Sequence, residues 1–301
     1  MELLKPTVDL AFHRMLSQAG NEPVLLDLLN AVLVSSGDRP ATGVTVMNPR
    51  IEPRTATDRA AVLDVRATLA DGRSANVEMQ VVNQGDWAAR SLYYWARLFA
   101  DQLTTAMPYR QLTPTISVGV LSFRLWPGGP FHHTFRLRAD HDPAMVWSDH
   151  LALHTVELKK LPESFRPEDE ELVRWMKFLM DGPPGQKEEI AMESPAIQQA
   201  LTTLETLSYD QEFRALYEAR EKAQRDLISM RADGLEEGRA EGREEGRAEG
   251  REEGRAEGRG EGQEKATRVV AQAMLADGLP VARVAKITGL SLAEVQALPH
   301  E

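Results

Sequence analysis

The 301-residue chain has no cysteine. This excludes disulfides, thiolate metal sites and cysteine nucleophiles, and agrees with a reducing compartment. No apolar run is long enough to cross a bilayer. The opening stretch MELLKPTVDLAFHRML has no basic segment leading into a long apolar one, so no signal peptide is expected. A soluble, cytoplasmic chain with no membrane partner is the expectation. Phosphate-cradling glycine loops and Gly-x-Ser-x-Gly elbows are missing too. Gly128-Gly129 lies between prolines and reads as a turn. No histidine pair has HExxH spacing, and His132, His133 and His154 read as structural residues of strands. Positive charge is also short, the net charge being −11. Yet residues 1–160 carry 16 basic and 16 acidic side chains, so the whole acidic surplus lies beyond residue 160. The first half is free to carry a local basic surface.

What is present points to a mixed α/β domain. Hydrophobic residues make up 42% of the chain, enough for a sizeable core. Residues 7–18 and 22–34 have helical periodicity, with Val24, Leu25, Leu28, Leu29 and Val32 on one face. Residues 43–51 read as a strand ended by Pro49, and 61–69 with 74–82 as a hairpin around Asp71-Gly72. Residues 87–106 read as a long helix whose Tyr93, Trp95 and Phe99 are assigned to the core. The nearly continuous apolar run 114–123 suggests a strand buried on both faces. FHHTFRLR and LALHTVELKK are further strands. This order gives an α/β mixed sheet flanked by helices. From residue 167 the pattern turns helical, first in RPEDEELVRWMKFLMDG, which stops at Gly182-Pro183-Pro184, then over 187–231.

The hairpin carries the chemistry. A three-residue loop, Ala70-Asp71-Gly72, puts Gly72 in the left-handed position of a type I turn with a G1 bulge. Leu69 then pairs with Arg73, and Asp64 lies opposite Glu78. A two-residue loop would send the two acids to opposite faces. The apolar residues choose between these registers. Only odd loops put Leu63, Val65 and Ala67 on one face with Ala75, Val77, Met79 and Val81. The other face then holds Asp64, Arg66, Asn76, Glu78 and Gln80. Opposed carboxylates destabilise a sheet unless they are solvated or share a cation. Oxygen ligands with retained water are what Mg²⁺ prefers.

Two segments follow. In 233–262 glycine recurs every fourth residue from Gly234 to Gly262, and each costs about 1 kcal/mol of helix stability relative to alanine. Glu–Arg pairs three apart, such as Glu236–Arg239 and Glu244–Arg247, return only about 0.2–0.5 kcal/mol each. Alone, the segment is expected to be a marginal helix or disordered, serving either as a linker or as a stalk through which copies self-associate. The last stretch, ATRVVAQAMLADGLPVARVAKITGLSLAEVQAL, alternates helix and break. Ser291 and Glu294 make a capping box, and Ala285, Gly289 and Val295 fit helix-turn-helix positions. Its final helix is short and has only Gln296 to read bases. A small helical cap or protein-contact module is therefore the reading preferred on these residues.

Asp64 followed by Glu78-Met79-Gln80 resembles the Asp…Glu-x-Lys signature of PD-(D/E)XK nucleases, with glutamine at the lysine position. KPTVDLAFHRML, LDVRATLADG, ANVEMQ, ARSLYYWARLFADQL, YRQLTPTISVGVLSF and HTVELKKLP, in that order, resemble the Rpn (YhgA-like) branch of recombination-promoting nucleases and transposases. The resemblance implies a PD-(D/E)XK restriction-endonuclease-like fold over 1–165. A helical region would follow at 166–232, the repeat at 233–265 and the tail at 266–301. It also implies a metal-dependent DNA endonuclease linked to DNA recombination. Asp64 and Glu78 would bind Mg²⁺ or Mn²⁺, and Gln80 would orient a water. Gln80 carries no charge, so a cation elsewhere must help, Arg66 being the candidate on that face. Asp9 matches an early acidic residue of the family and holds either the metal or a water, or else is a helix-start acid favoured by the dipole. His13 stands where the family has lysine. Arg90, Tyr94, Arg97 and Asp101 share one helical stripe, on which Arg90 and Arg97 would contact DNA phosphates. The rival expectations are an inactive nuclease fold that binds DNA or protein, and a scaffold oligomerised through 233–262.

Overall fold

The computed structural model describes residues 3–52, 61–163 and 166–299. The expected boundary at 165 and the chain end at 300–301 lie outside them. The chain divides into two units, Met1–Ile228 and Ser229–Glu301.

The first unit opens with α1 (Asp9–Ser17) and α2 (Glu22–Ser35), the latter burying the expected Val24, Leu25, Leu28, Leu29 and Val32. Then come β1 (Val44–Met47), β2 (Arg50–Ile51), β3 (Ala61–Val62), β4 (Val65–Leu69), β5 (Ser74–Gln80), α3 (Trp87–Asp101), β6 (Thr115–Leu121), β7 (His132–Ala139) and β8 (Asp142–Glu157). The main sheet has six strands in the order β1-β4-β5-β6-β8-β7. The centre, β5-β6-β8, is parallel and the flanks are antiparallel. Every residue of β6 is buried, as its unbroken apolar run requires. Four helices close the unit's core: α4 (Glu170–Leu179), α5 (Gln186–Glu193), α6 (Pro195–Tyr209) and the start of α7 (Gln211–Ala276).

The hairpin has the odd-loop register. Val65 pairs with Val77, Arg66 with Asn76, Ala67 with Ala75 and Thr68 with Ser74. Gly72 has φ +88° and donates its N–H to Leu69 O at 2.9 Å, while Leu69 N–H reaches Arg73 O at 2.8 Å. Val65, Ala67, Leu69, Ala75, Val77 and Met79 enter the core beneath α1, α2, α4 and α6. Burying each such side chain stabilises the fold by roughly 1.5–3 kcal/mol before entropy.

Three expectations change here. The strand foreseen over 61–69 breaks at Leu63-Asp64: β3 turns away to pair with β2, and Leu63 N–H donates to Pro49 O at 3.0 Å. The polar face of the hairpin is only partly open to water, because α3 packs over it; Asn76 is 0% and Glu78 2% exposed, while Asp64, Arg66 and Gln80 are half-buried. Tyr93 is 40% exposed rather than core. Trp95 and Phe99 are half-buried and stacked at 5.1 Å, and Trp95 Nε1 donates to Thr115 O at 3.0 Å. Helix α3 is anchored by Trp87, whose ring lies where a Cβ on Gly119 would sit. The β-carbon-free position on β6 is what lets the helix approach so closely.

The helical stretch over 187–231 is three helices, not one. Ser194 caps α6, its Oγ accepting the Ile197 N–H at 3.4 Å with Pro195 in the first turn. Asp210 caps α7, its Oδ1 accepting the Phe213 N–H at 3.0 Å.

In the second unit, helix α7 continues through the repeat, the helical one of the two states expected. Strong helix formers, Ala, Arg and Glu, fill most positions between its glycines. Among the described residues, neither Glu236–Arg239 nor Glu244–Arg247 closes to an ion pair; Arg243 and Arg251 instead donate to the carbonyls of Arg239 and Arg247. Helices α8 (Val281–Thr288) and α9 (Leu292–Gln296) pack with the end of α7 around Ala271, Val284 and Val295. Gly289 turns the chain between them at φ +76°, and the Ser291–Glu294 capping box forms.

Candidate active site

Asp64 sits at the bend between β3 and β4, and Glu78 in the middle of β5. Each acid accepts a main-chain N–H from the other's strand. Asp64 N–H donates to Glu78 Oε1 at 3.2 Å, and Met79 N–H donates to Asp64 Oδ2 at 2.8 Å. Asn76 Nδ2 makes a long second contact to Glu78 Oε1, 3.4 Å, and its own Oδ1 is buried without a partner. Among the described residues, Asp64 Oδ1 and Glu78 Oε2 accept no protein hydrogen bond.

This arrangement holds the buried carboxylate of Glu78 beside the half-buried one of Asp64. Burial, followed by the charge of Asp9, pushes the Asp64 carboxyl up to about 6, with the Met79 N–H, Arg90 and Arg220 acting against the rise. Burial and then the Asp64 charge push Glu78 well above the usual carboxylate range. Two acids so placed retain a proton towards neutrality unless a cation joins them. The donor set is hard oxygen with open valences, which suits Mg²⁺ or Mn²⁺. Among the described residues no third His, Asp or Glu completes a protein cage, so such an ion would keep much of its own water. The residues present fit it.

Gln80, the last residue of β5, is fixed by Arg90. The guanidinium only donates, so Gln80 turns Oε1 to Arg90 Nη2 and leaves its amide N–H groups free to donate elsewhere. Arg90 lies over the Trp87 ring at 5.6 Å, with its Nε buried and without an acceptor. Its charge acts on both Asp64 and Glu78. Arg90 thus stands beside the acids as the expected compensating cation. Arg66 does not: its guanidinium binds Asp101 at 2.5 Å, at the far end of α3. Arg97 donates to Glu52 O at 2.9 Å, off the acidic pair.

Asp9, the first residue of α1, is close enough to Asp64 to raise its proton affinity. Its Oδ1 takes the Leu10 N–H at 2.8 Å, and its Oδ2 meets Arg220 Nε at 3.0 Å. One turn further, His13 Nδ1 donates to the Asp64 carbonyl at 2.6 Å and so pins the bend that carries the acid. The position reads as a lysine lost, yet it serves as a brace. Tyr94 shares the site's field; burial and then Glu78 hold its hydroxyl above the usual range. Sequence reasoning missed Arg220. It lies on a helix rich in both charges, and nothing local to it signals a role.

A mixed sheet with an acidic pair on its central hairpin, glutamine two residues beyond the second acid and a covering helix is the PD-(D/E)XK type of nuclease fold. The chain belongs to that superfamily's transposase branch: the model of the PD-(D/E)XK nuclease family transposase matches residues 6–234. Residues 264–300 match the C-terminal HTH domain of the Rpn/YhgA-like nuclease family, so the tail is a helix-turn-helix rather than a bare helical cap. No curated protein and no solved structure matches the chain. Among the described residues no helix is long and apolar enough to cross a membrane.

Proposed function

We propose that the chain is a metal-dependent DNA endonuclease acting in recombination in the cytoplasm, with Asp64 and Glu78 as the metal ligands. The observation that carries this reading is the pair of carboxylates, Glu78 buried and raised by burial and by Asp64, Asp64 half-buried and itself raised, whose outer oxygens accept no hydrogen bond among the described residues. A hard divalent cation held there supplies the charge that activates a water and stabilises the phosphate in flight. Gln80, its oxygen tied to Arg90, can offer only N–H donors, so it positions the attacking water by holding its oxygen and takes no proton. Arg90 supplies the positive charge that glutamine lacks, close to where negative charge gathers on the phosphate. Asp9 completes the outer side as a water- or metal-orienting acid. Arg66, spent on Asp101, and Arg97, on the Glu52 carbonyl, remain at most phosphate contacts on the α3 side of the site.

The test is cleavage of supercoiled plasmid with Mg²⁺, Mn²⁺ or EDTA by the wild type, Asp64→Ala and Glu78→Ala. Metal-dependent nicking lost in both variants supports the reading; a folded wild type that nicks under no condition removes it. The glutamine at the lysine position and the helix-turn-helix tail favour a second reading, a nuclease fold kept for binding DNA. It expects retarded DNA on a gel with no cleavage, and loss of that retardation on deleting 264–301.

A further inference from the structure

The first turns of α7 are fastened to the segment that leads into α1. Phe213 and Tyr217 are buried in the main core. Tyr217 OH accepts the Lys5 N–H at 3.0 Å, Lys5 Nζ meets Glu221 at 3.3 Å, and Ser208 Oγ, just before α7, accepts the Leu4 N–H at 3.2 Å. This lacing carries Arg220 to the acidic site. Its Nε reaches Asp9 Oδ2 at 3.0 Å, and the side chain is 62% exposed. Arg220 also acts favourably on the ionised form of Asp64. The site therefore has two guanidinium groups of different kind. Arg90 is seated over Trp87 and against Gln80; Arg220, largely exposed, is held among the described residues by its pair with Asp9.

Resting on the metal-site reading above, we propose that Arg220 is a displaceable counter-ion of that site, occupying Asp9 while no divalent cation is present and leaving it when one binds. The chemistry argues for exchange. An exposed ion pair is held weakly, whereas a hard divalent cation draws strongly on carboxylate oxygen. A metal beside Asp64 and a guanidinium on Asp9 repel each other. Linkage is reciprocal: by the factor that Arg220 weakens metal binding, metal weakens the seating of this part of α7. The start of α7 would then report whether the catalytic acids are loaded.

The experiment is Mn²⁺ binding to the full chain without DNA, followed by the electron paramagnetic resonance signal of free Mn²⁺. Arg220→Gln is expected to tighten Mn²⁺ severalfold, Arg220→Lys to fall nearer the wild type, and Glu78→Gln to abolish uptake. In an Asp9→Asn background, Arg220→Gln should add little, since the acid it guards is already neutral. Hydrogen exchange over residues 212–222 should quicken when Mn²⁺ is added to the wild type. Unchanged or weakened Mn²⁺ affinity in a folded Arg220→Gln chain overturns this inference alone. A folded wild type that takes up no Mn²⁺ overturns the metal-site reading and this inference with it.

Discussion

Asp64 and Glu78 are joined through the backbone: the N–H of Asp64 is hydrogen-bonded to the Glu78 carboxylate, and the N–H of Met79, next to Glu78, to the Asp64 carboxylate. The hairpin holds its two acids by donating to each from the opposite strand. Neither acid can leave without stranding a main-chain donor.

Neutralising one acid should therefore separate stability from function. Asp64→Asn and Glu78→Gln keep an oxygen for the donated N–H and remove a buried charge. Each is expected to melt no lower than the wild type in EDTA, and up to about 1–2 kcal/mol more stably. Added Mg²⁺ or Mn²⁺ should raise the wild-type midpoint, by about 2.7 kcal/mol at a hundredfold excess over Kd, and leave both variants unmoved. Differential scanning fluorimetry with and without metal checks this.

Arg90 is expected to matter through its charge. Arg90→Met should lower plasmid nicking by about 10²–10³-fold at unchanged fold, with Arg90→Lys losing less. Gly119→Val attacks the same group from behind. It forces Trp87 off the sheet and with it the helix that aims Arg90. Near-ultraviolet circular dichroism of the tryptophans would register the shift, and nicking should fall with it.

A separate polar cluster lies on the core side of the sheet. His132 Nε2 and His154 Nδ1 are 3.1 Å apart, and Ser35 Oγ, 2.8 Å from His132 Nδ1, donates to Asp169 at 2.6 Å. Asp38, Arg136 and Arg166 surround them. Burial, against the pull of Asp169, lowers His132 from 6.5 to about 4, and burial also holds His154 well below its usual range. Between those values the unfolded chain binds a proton that the folded chain refuses. Stability is thus level above about pH 6.5 and falls as pH drops towards 4, by roughly 3 kcal/mol for His132 alone. Urea denaturation across that window should show the slope in the wild type and a shallower one in His132→Asn.

The repeat predicts a gain. Among the described residues, and apart from the helix's own backbone, nothing lies within 4 Å of where a Cβ would sit on Gly238, Gly242, Gly246 or Gly250. Alanine at each should stabilise the helix by about 1 kcal/mol, seen as higher helical ellipticity on warming. If the repeat also serves as a self-association stalk, deleting 233–262 lowers the mass measured by light scattering; an unchanged mass removes that role.

The hairpin was legible because parity is local. The apolar residues at 65, 67, 75, 77 and 79 and the glycine at 72 suffice to set which side chains share a face. Breaks inside 187–231 were legible in principle, for Ser194-Pro195 carries both a cap and a helix-start proline, but the periodicity on either side concealed them. The length of β8 was not. Its residues 142–147 are exposed and show no burial pattern to read. The partners of the cations were out of reach as well. That Arg66 would choose Asp101, or that Asp9 would meet a side chain from position 220, depends on tertiary neighbours that spacing does not encode. For the repeat, composition left helix and disorder both open, and the segment is helical, with strong helix formers between its glycines.

The loop at Ala70-Asp71-Gly72 touches neither acid, yet it counts out the residues between them. Deleting one residue there would leave Asp64 and Glu78 both present in the gene and send one of them to the wrong side of the sheet. For this hairpin, Ala70 is open to substitution and Gly72, at φ +88°, is not, while a change of length by a single codon amounts to losing one of the two paired carboxylates.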